Sequence, residues 1–224
     1  MSAYVFDMIR RGQSAELAAE AEAHPELALA RDVQGVSALL WTIYTGQTSM
    51  RDFLRARISE LDLFEAAALG DLPSLRALLD ADPAAVHSFS GDGWTALHLG
   101  AAFAGPEAVH LLLDRGADVH ATSRNPQQNQ PLHAALALSG DLETIRLLLD
   151  AGVDVNAAQA GGYAPLHSAA SAGRREAAEL LLARGADPEP ADDHGNPPAF
   201  FARQHGHAEL AEWLDSAARA AAHR

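Results

Sequence analysis

A short motif returns along this chain. Thr95-Ala96-Leu97-His98 is followed by Pro131-Leu132-His133 and then by Ala164-Pro165-Leu166-His167, with the leucines 35 and 34 residues apart. No other feature limits the fold so much, because a unit this short cannot bury its own apolar face and becomes stable only when stacked on its copies. After each motif come an alanine-rich stretch, a glycine (Gly105, Gly140, Gly173), and a second apolar segment ending Leu111-Leu112-Leu113, Leu147-Leu148-Leu149 or Leu180-Leu181-Leu182. Each unit then closes on Gly116-Ala117-Asp118, Gly152-Val153-Asp154 or Gly185-Ala186-Asp187. The pattern predicts helix, turn, helix and a glycine stop, since glycine suits the left-handed conformation that ends helices.

The N-terminal half carries the same unit in a weaker form. Shifting the chain by 58 residues lays Phe6 on Phe64, Gly12 on Gly70, Pro25 on Pro83, Gly35 on Gly93 and Leu39 on Leu97. Two shortened repeats account for that offset if the loop at Glu60-Leu61-Asp62 has lost its finger and leads straight into the next helix. Aromatic residues make up only 6% of a chain that is 48% hydrophobic, so the core must be built from alanine and leucine on closely packed helices.

The unit resembles the ankyrin repeat, a motif of about 33 residues with Thr-Pro-Leu-His at the start of its first helix and Gly-Ala-Asp-Val-Asn after its second. The likeness covers nearly the whole chain and is closest from Gly93 to Ala121 and at Gly152-Val153-Asp154-Val155-Asn156-Ala157. Departures are Ala38 and Ala96 in place of the proline, a repeat from about Leu63 with no Leu-His start, and a last unit reading Pro197-Pro198-Ala199-Phe200. The resemblance, to a stand-alone domain of the bacterial type, implies an all-α solenoid of about seven helix-turn-helix units with short β-hairpin-like fingers. Residues 1–224 then form one domain, with an N-terminal capping repeat over 1–31, internal repeats over 32–191 and a C-terminal capping repeat over 192–224.

Composition narrows the function. Thirty acidic residues against 16 basic ones leave a net charge of −14, which repels a polyanion, so nucleic acid is not an expected partner. All the basic residues are arginine, and cysteine is absent, which removes lysine chemistry, thiolate nucleophiles, disulfides and cysteine-held metals together. No stretch has the length and apolarity of a signal peptide or a membrane span, so a cytoplasmic location away from membranes is expected. No metalloprotease helix, nucleophile elbow, phosphate loop or dinucleotide turn occurs.

The resemblance also suggests where a partner would bind. In the ankyrin family the finger tips and the first helices form a concave binding surface. The position just past the finger glycine is held here by Val36, Trp94, Asn129, Tyr163 and Asn196, and variable positions on the first helices by Tyr44, Phe103, Leu138 and Ser171. Tyr44, Trp94, Phe103 and Tyr163 could line one stripe, and aromatic side chains dominate binding hot spots; Tyr44 or Phe103 could equally pack into the stack. The finger Thr122–Gln130 is longer than the others by about two residues and contains no acid, making Arg124 a contact candidate, although such an insertion is as often a tolerated surface feature. The expected partner-binding set is therefore Val36, Tyr44, Trp94, Phe103, Arg124, Asn129 and Tyr163.

Trp41 and Trp213 are read as packing residues. His98, His133 and His167 recur once per repeat, about 10 Å apart on stacked units, which suits a shared structural role and not one metal site. His194, His205 and His207 are close in sequence but fit no zinc spacing. The expectation is a monomeric, non-catalytic interaction protein with no cofactor and no metal, binding another protein of basic or mixed surface. The alternatives are a small-ligand receptor or enzyme with a pocket near the long finger 122–130, using Arg124 or a histidine, and an obligate subunit of a larger assembly.

Overall fold

The computed structural model describes residues 2–139 and 141–222. Gly140, read above as an inter-helix glycine, and the cap residues 1, 223 and 224 lie outside them. Among the described residues the helices form seven pairs: α1 (Ser2–Arg11) with α2 (Ser14–Ala23), α3 (Ala38–Tyr44) with α4 (Thr48–Arg55), α5 (Leu63–Leu69) with α6 (Leu72–Ala81), α7 (Ala96–Leu99) with α8 (Pro106–Asp114), α9 (Pro131–Ala134) with α10 (Leu142–Asp150), α11 (Pro165–Ser171) with α12 (Arg175–Ala183), and α13 (Pro198–Gln204) with α14 (Ala208–Ala222). The stack is an all-α solenoid whose pairs pack on their neighbours through one continuous core.

Residue size explains the packing. The first helices bury alanines at Ala66, Ala67, Ala101, Ala135, Ala169 and Ala170, which lets backbones approach, while the second helices bury Leu75, Leu79, Leu112, Leu148 and Leu181. Helix ends are set by local chemistry. Asp62 accepts from the Glu65 N–H and Glu65 returns a bond to the Asp62 N–H, a reciprocal cap at the head of α5. Gly116 adopts φ +82 after α8, and the Ala117 N–H then reaches back to the Leu112 carbonyl at 2.9 Å.

The uneven period has a structural cause. From Leu166 to its equivalent Ala199 the spacing is 33. The first helices of the fourth and fifth pairs run on as π-helical turns over Gly100–Ala104 and Ala135–Ser139, each absorbing one extra residue without disturbing the alanine and leucine pattern. The finger 122–130 adds two more residues, and a one-residue shorter link before α8 removes one.

The fingers are not β-hairpins. Arg31 with Ser37, Phe89 with Thr95 and Gln159 with Tyr163 form single antiparallel bridges, and no strand occurs among the described residues. Side chains close the turns: Asp32 Oδ1 accepts from the N–H groups of Gln34 and Val36, and Asp192 Oδ1 from those of His194 and Asn196. Backbone bonds also join neighbouring fingers: the N–H groups of Arg124, Ala160 and Asp193 donate to the carbonyls of Gly93, Gln127 and Gly161 in the finger before.

The finger expected to be lost is absent from the third pair: residues 56–62 pass from α4 to the cap of α5 without a bridge. The second and fourth fingers close over the gap. A Cβ on Gly91 would fall 1.9 Å from the carbonyl oxygen of Gln34, so this contact admits no side chain.

Candidate functional site

Across the fingerless third pair, aromatic side chains of its two neighbours meet. The ring of Tyr44, at the end of α3, lies 5.5 Å from Phe103 in the π turn after α7 and 6.3 Å from Trp94 at the base of the fourth finger. Trp94 and Phe103 lie 6.2 Å apart at 22°, nearly parallel. The cluster continues through Trp41, 6.5 Å from Tyr44, to Phe6, 6.1 Å from Trp41. Trp41, Tyr44, Trp94 and Phe103 are all half-buried, so each is anchored in the stack while part of its surface stays open.

Carboxylates surround these rings. Asp32 Oδ2 accepts from Trp41 Nε1 at 2.8 Å, and Asp92 accepts from the Ser90 hydroxyl. Asp62 pairs with Arg31 at 2.8 Å. The Tyr44 hydroxyl oxygen is buried with no hydrogen-bond partner. Burial, reinforced by the negative charges of Asp92, Asp62 and Asp32, raises its pKa well above the ordinary tyrosine value. An open groove of about 600 Å³ meets the cluster at Phe103 and is otherwise lined by Ile43, Gln47, Arg51, Arg55 and Asp71 among others.

The expected binding set divides on this geometry. Tyr44, Trp94 and Phe103 come together. Tyr163 stands apart in a second cluster, 4.9 Å from Phe201 and 5.5 Å from His167, with Phe200 against Phe201. Val36 and Asn129 are corrections: at 3% and 8% exposure both are buried, because the position that leaves a large ring at the surface lets a smaller side chain sink into the finger base. Arg124 is exposed, but its guanidinium rests 3.8 Å from the centre of the Phe89 ring and not on the cluster. Leu138, in the second π turn, is an exposed apolar residue at 49%.

Trp41 packs against the core as its apolar neighbours suggest, and its indole N–H is held as well. The signal for this bond was available in Asp32, nine residues earlier and able to take the indole N–H. Phe201 was hidden by the divergent Pro197-Pro198-Ala199-Phe200-Phe201 run.

The histidines act as ties between units. His98 Nε2 meets the Asn129 carbonyl at 2.9 Å, His133 Nε2 that of Tyr163 at 3.1 Å, and His167 Nε2 that of Asn196 at 3.1 Å. Their Nδ1 atoms accept from the N–H of Thr95, Gln130 and Ala164 at the heads of their own helices, which fixes the proton on Nε2. Burial pushes the pKa of His98 and of His133 down to about 4 and lowers that of His167. Near the C-terminus, His205 Nδ1 bonds the Phe201 carbonyl and His207 packs over Gly173, and His194 is exposed beside Asp192.

The long finger is ordered by its own bonds. The N–H of Ser123 donates to the Asn129 carbonyl, that of Asn129 to Ser123 Oγ, and Ser123 Oγ to Asn125 Oδ1. The recess beside it, lined by Phe89, His120 and Thr122, holds about 220 Å³, below the roughly 300–1,000 Å³ usual for small-ligand sites. No described helix is long and apolar enough to cross a membrane.

A family model for ankyrin repeats in three copies matches residues 63–159, 101–192 and 137–221. Two proteins of Oryza sativa subsp. japonica are similar over 87 residues: one named probable E3 ubiquitin-protein ligase XBOS31, 46% identical, and one named E3 ubiquitin-protein ligase XB3, 41% identical. The match takes in 38% of this chain and 19% of each relative, so the chain spans about a fifth of the length of these curated relatives. With the family model matching well over half the chain, and helix pairs, histidine ties and glycine stops where the repeats require them, the protein belongs to the ankyrin-repeat family, whose repeats are protein–protein interaction modules.

Proposed function

We propose that this chain is a non-catalytic adaptor that holds a protein partner against the face formed by the second to fourth helix pairs. The observation that carries the reading is the cluster of Trp41, Tyr44, Trp94 and Phe103, four half-buried rings gathered where a finger is missing. Rings anchored from behind lose little further freedom on binding and present a large contact area, which is what binding hot spots require. The 87 residues shared with proteins named as ubiquitin ligases are about a fifth of those proteins, and the property carried over to this chain is partner recognition, not ligation. The acidic balance favours a basic or mixed protein surface over nucleic acid. The chain acts as a monomer in the cytoplasm.

The test is affinity capture with the intact chain beside Trp94→Ala, with circular dichroism and thermal melting confirming that the variant is folded. A partner held by the intact chain and lost by the folded variant supports the reading. Capture unchanged by Trp94→Ala removes this face from the binding surface, and turnover in a substrate screen would move the protein into another class.

A further inference from the structure

We infer that this face seats an arginine side chain of the partner, its guanidinium stacked on the open surface of the Trp94–Phe103 pair with Asp92 and Asp32 alongside. The inference rests on the proposed function and specifies the partner's chemistry. The two rings are stacked, 6.2 Å apart at 22°, and both side chains keep part of their surface open. The negative face of such a ring attracts a cation, most strongly on tryptophan.

The charges around the rings point the same way. Asp62 is neutralised by Arg31, and Asp71 along the groove by Arg55. Asp32 and Asp92 receive bonds from the Trp41 indole and the Ser90 hydroxyl, and among the described residues neither has an arginine within ion-pair reach. Asp92 is tied through the Ser90 hydroxyl to the backbone of Trp94, and Asp32 holds the indole of Trp41, whose ring lies 6.5 Å from that of Tyr44. Half-buried carboxylates are screened by salt less than exposed ones, so this part of the acidic chain keeps uncompensated negative charge against a π surface.

The chain supplies its own precedent. Arg10 lies 5.0 Å from the Trp41 ring centre, Arg57 3.6 Å from Phe53, Arg124 3.8 Å from Phe89 and Arg175 4.8 Å from Trp213. Tyr44, Trp94 and Phe103 have no such cation among the described residues. A guanidinium fits better than an ammonium because it is planar, weakly hydrated, and able to stack while its edge donates to carboxylates.

The experiment is selection of a random displayed peptide library on the intact chain, then fluorescence titration of the enriched peptides. The account expects arginine to be enriched at one position, its change to glutamine to weaken binding at least tenfold, and Trp94→Ala to abolish binding. Asp92→Asn should weaken binding several-fold, while Asp114→Asn, which removes the same charge from an exposed site on α8, should leave it unchanged. Peptides that need Trp94 yet tolerate the glutamine overturn this inference and leave the proposed function standing. If no enriched peptide depends on Trp94, the face is not a docking surface and both fall.

Discussion

His98 donates its Nε2–H to the carbonyl of Asn129, 2.9 Å away in the following finger, while its Nδ1 accepts from the Thr95 N–H at the head of its own helix. The same tie is made by His133 and His167, and it requires a neutral ring. In the unfolded chain these imidazoles take up protons near pH 6.5, whereas in the fold His98 and His133 resist down to about 4. The unfolded state therefore binds more protons between those limits. The stability from these residues is complete above pH 6.5 and is lost as pH falls toward 4, by at most about 1.4 kcal/mol per pH unit for each histidine. Urea midpoints measured from pH 7.5 to 4.5 should fall accordingly, and His98→Gln should flatten the slope while lowering the midpoint at pH 7.5.

Gly91→Ala should destabilise the chain by more than about 2 kcal/mol, because the new methyl meets the Gln34 carbonyl and the only relief is to part the second and fourth fingers. Gly116→Ala has open space around it and faces only the left-handed backbone penalty, about 1–2 kcal/mol. Equilibrium unfolding of the two variants should rank them in that order.

Tyr44→Phe should leave stability unchanged or raise it by about 1 kcal/mol, since it removes a buried hydroxyl that has no partner. A loss of 1 kcal/mol or more in urea melts would mean that the hydroxyl bonds Asp92 in solution.

Asp62→Ala should cost about 1–2 kcal/mol through loss of the reciprocal cap on α5. Arg31→Ala leaves the cap in place and removes a half-exposed ion pair to the same carboxylate together with a bond to the Gly35 carbonyl, and should cost about 1 kcal/mol or less. Thermal melts of the two variants separate cap from charge.

Much of this was legible in the residues. The recurring Leu-His pair located the helix starts and the interlocking histidines, and the 58-residue offset revealed a repeat without its finger. The π turns were invisible, because one added residue in an alanine-rich helix changes neither composition nor the leucine pattern. Site positions were legible only where side-chain size agreed with alignment: Trp94 is too large for the finger base and stays partly open, whereas Val36 and Asn129 fit inside it. That Tyr44 and Phe103 would touch followed from the missing finger, a consequence of three dimensions and not of spacing. Tyr163 shared their aromatic character but, at the head of the sixth pair, faces Phe201 of the seventh, far from the gap at the third.

Hydrogen–deuterium exchange of the intact chain, with and without the partner it captures, tests the docking face most directly. Protection over residues 38–45 and 92–104, with α6 and α8 exchanging as in the free chain, is the predicted result. Protection confined to α6 and α8, or to the long finger 122–130, would contradict it.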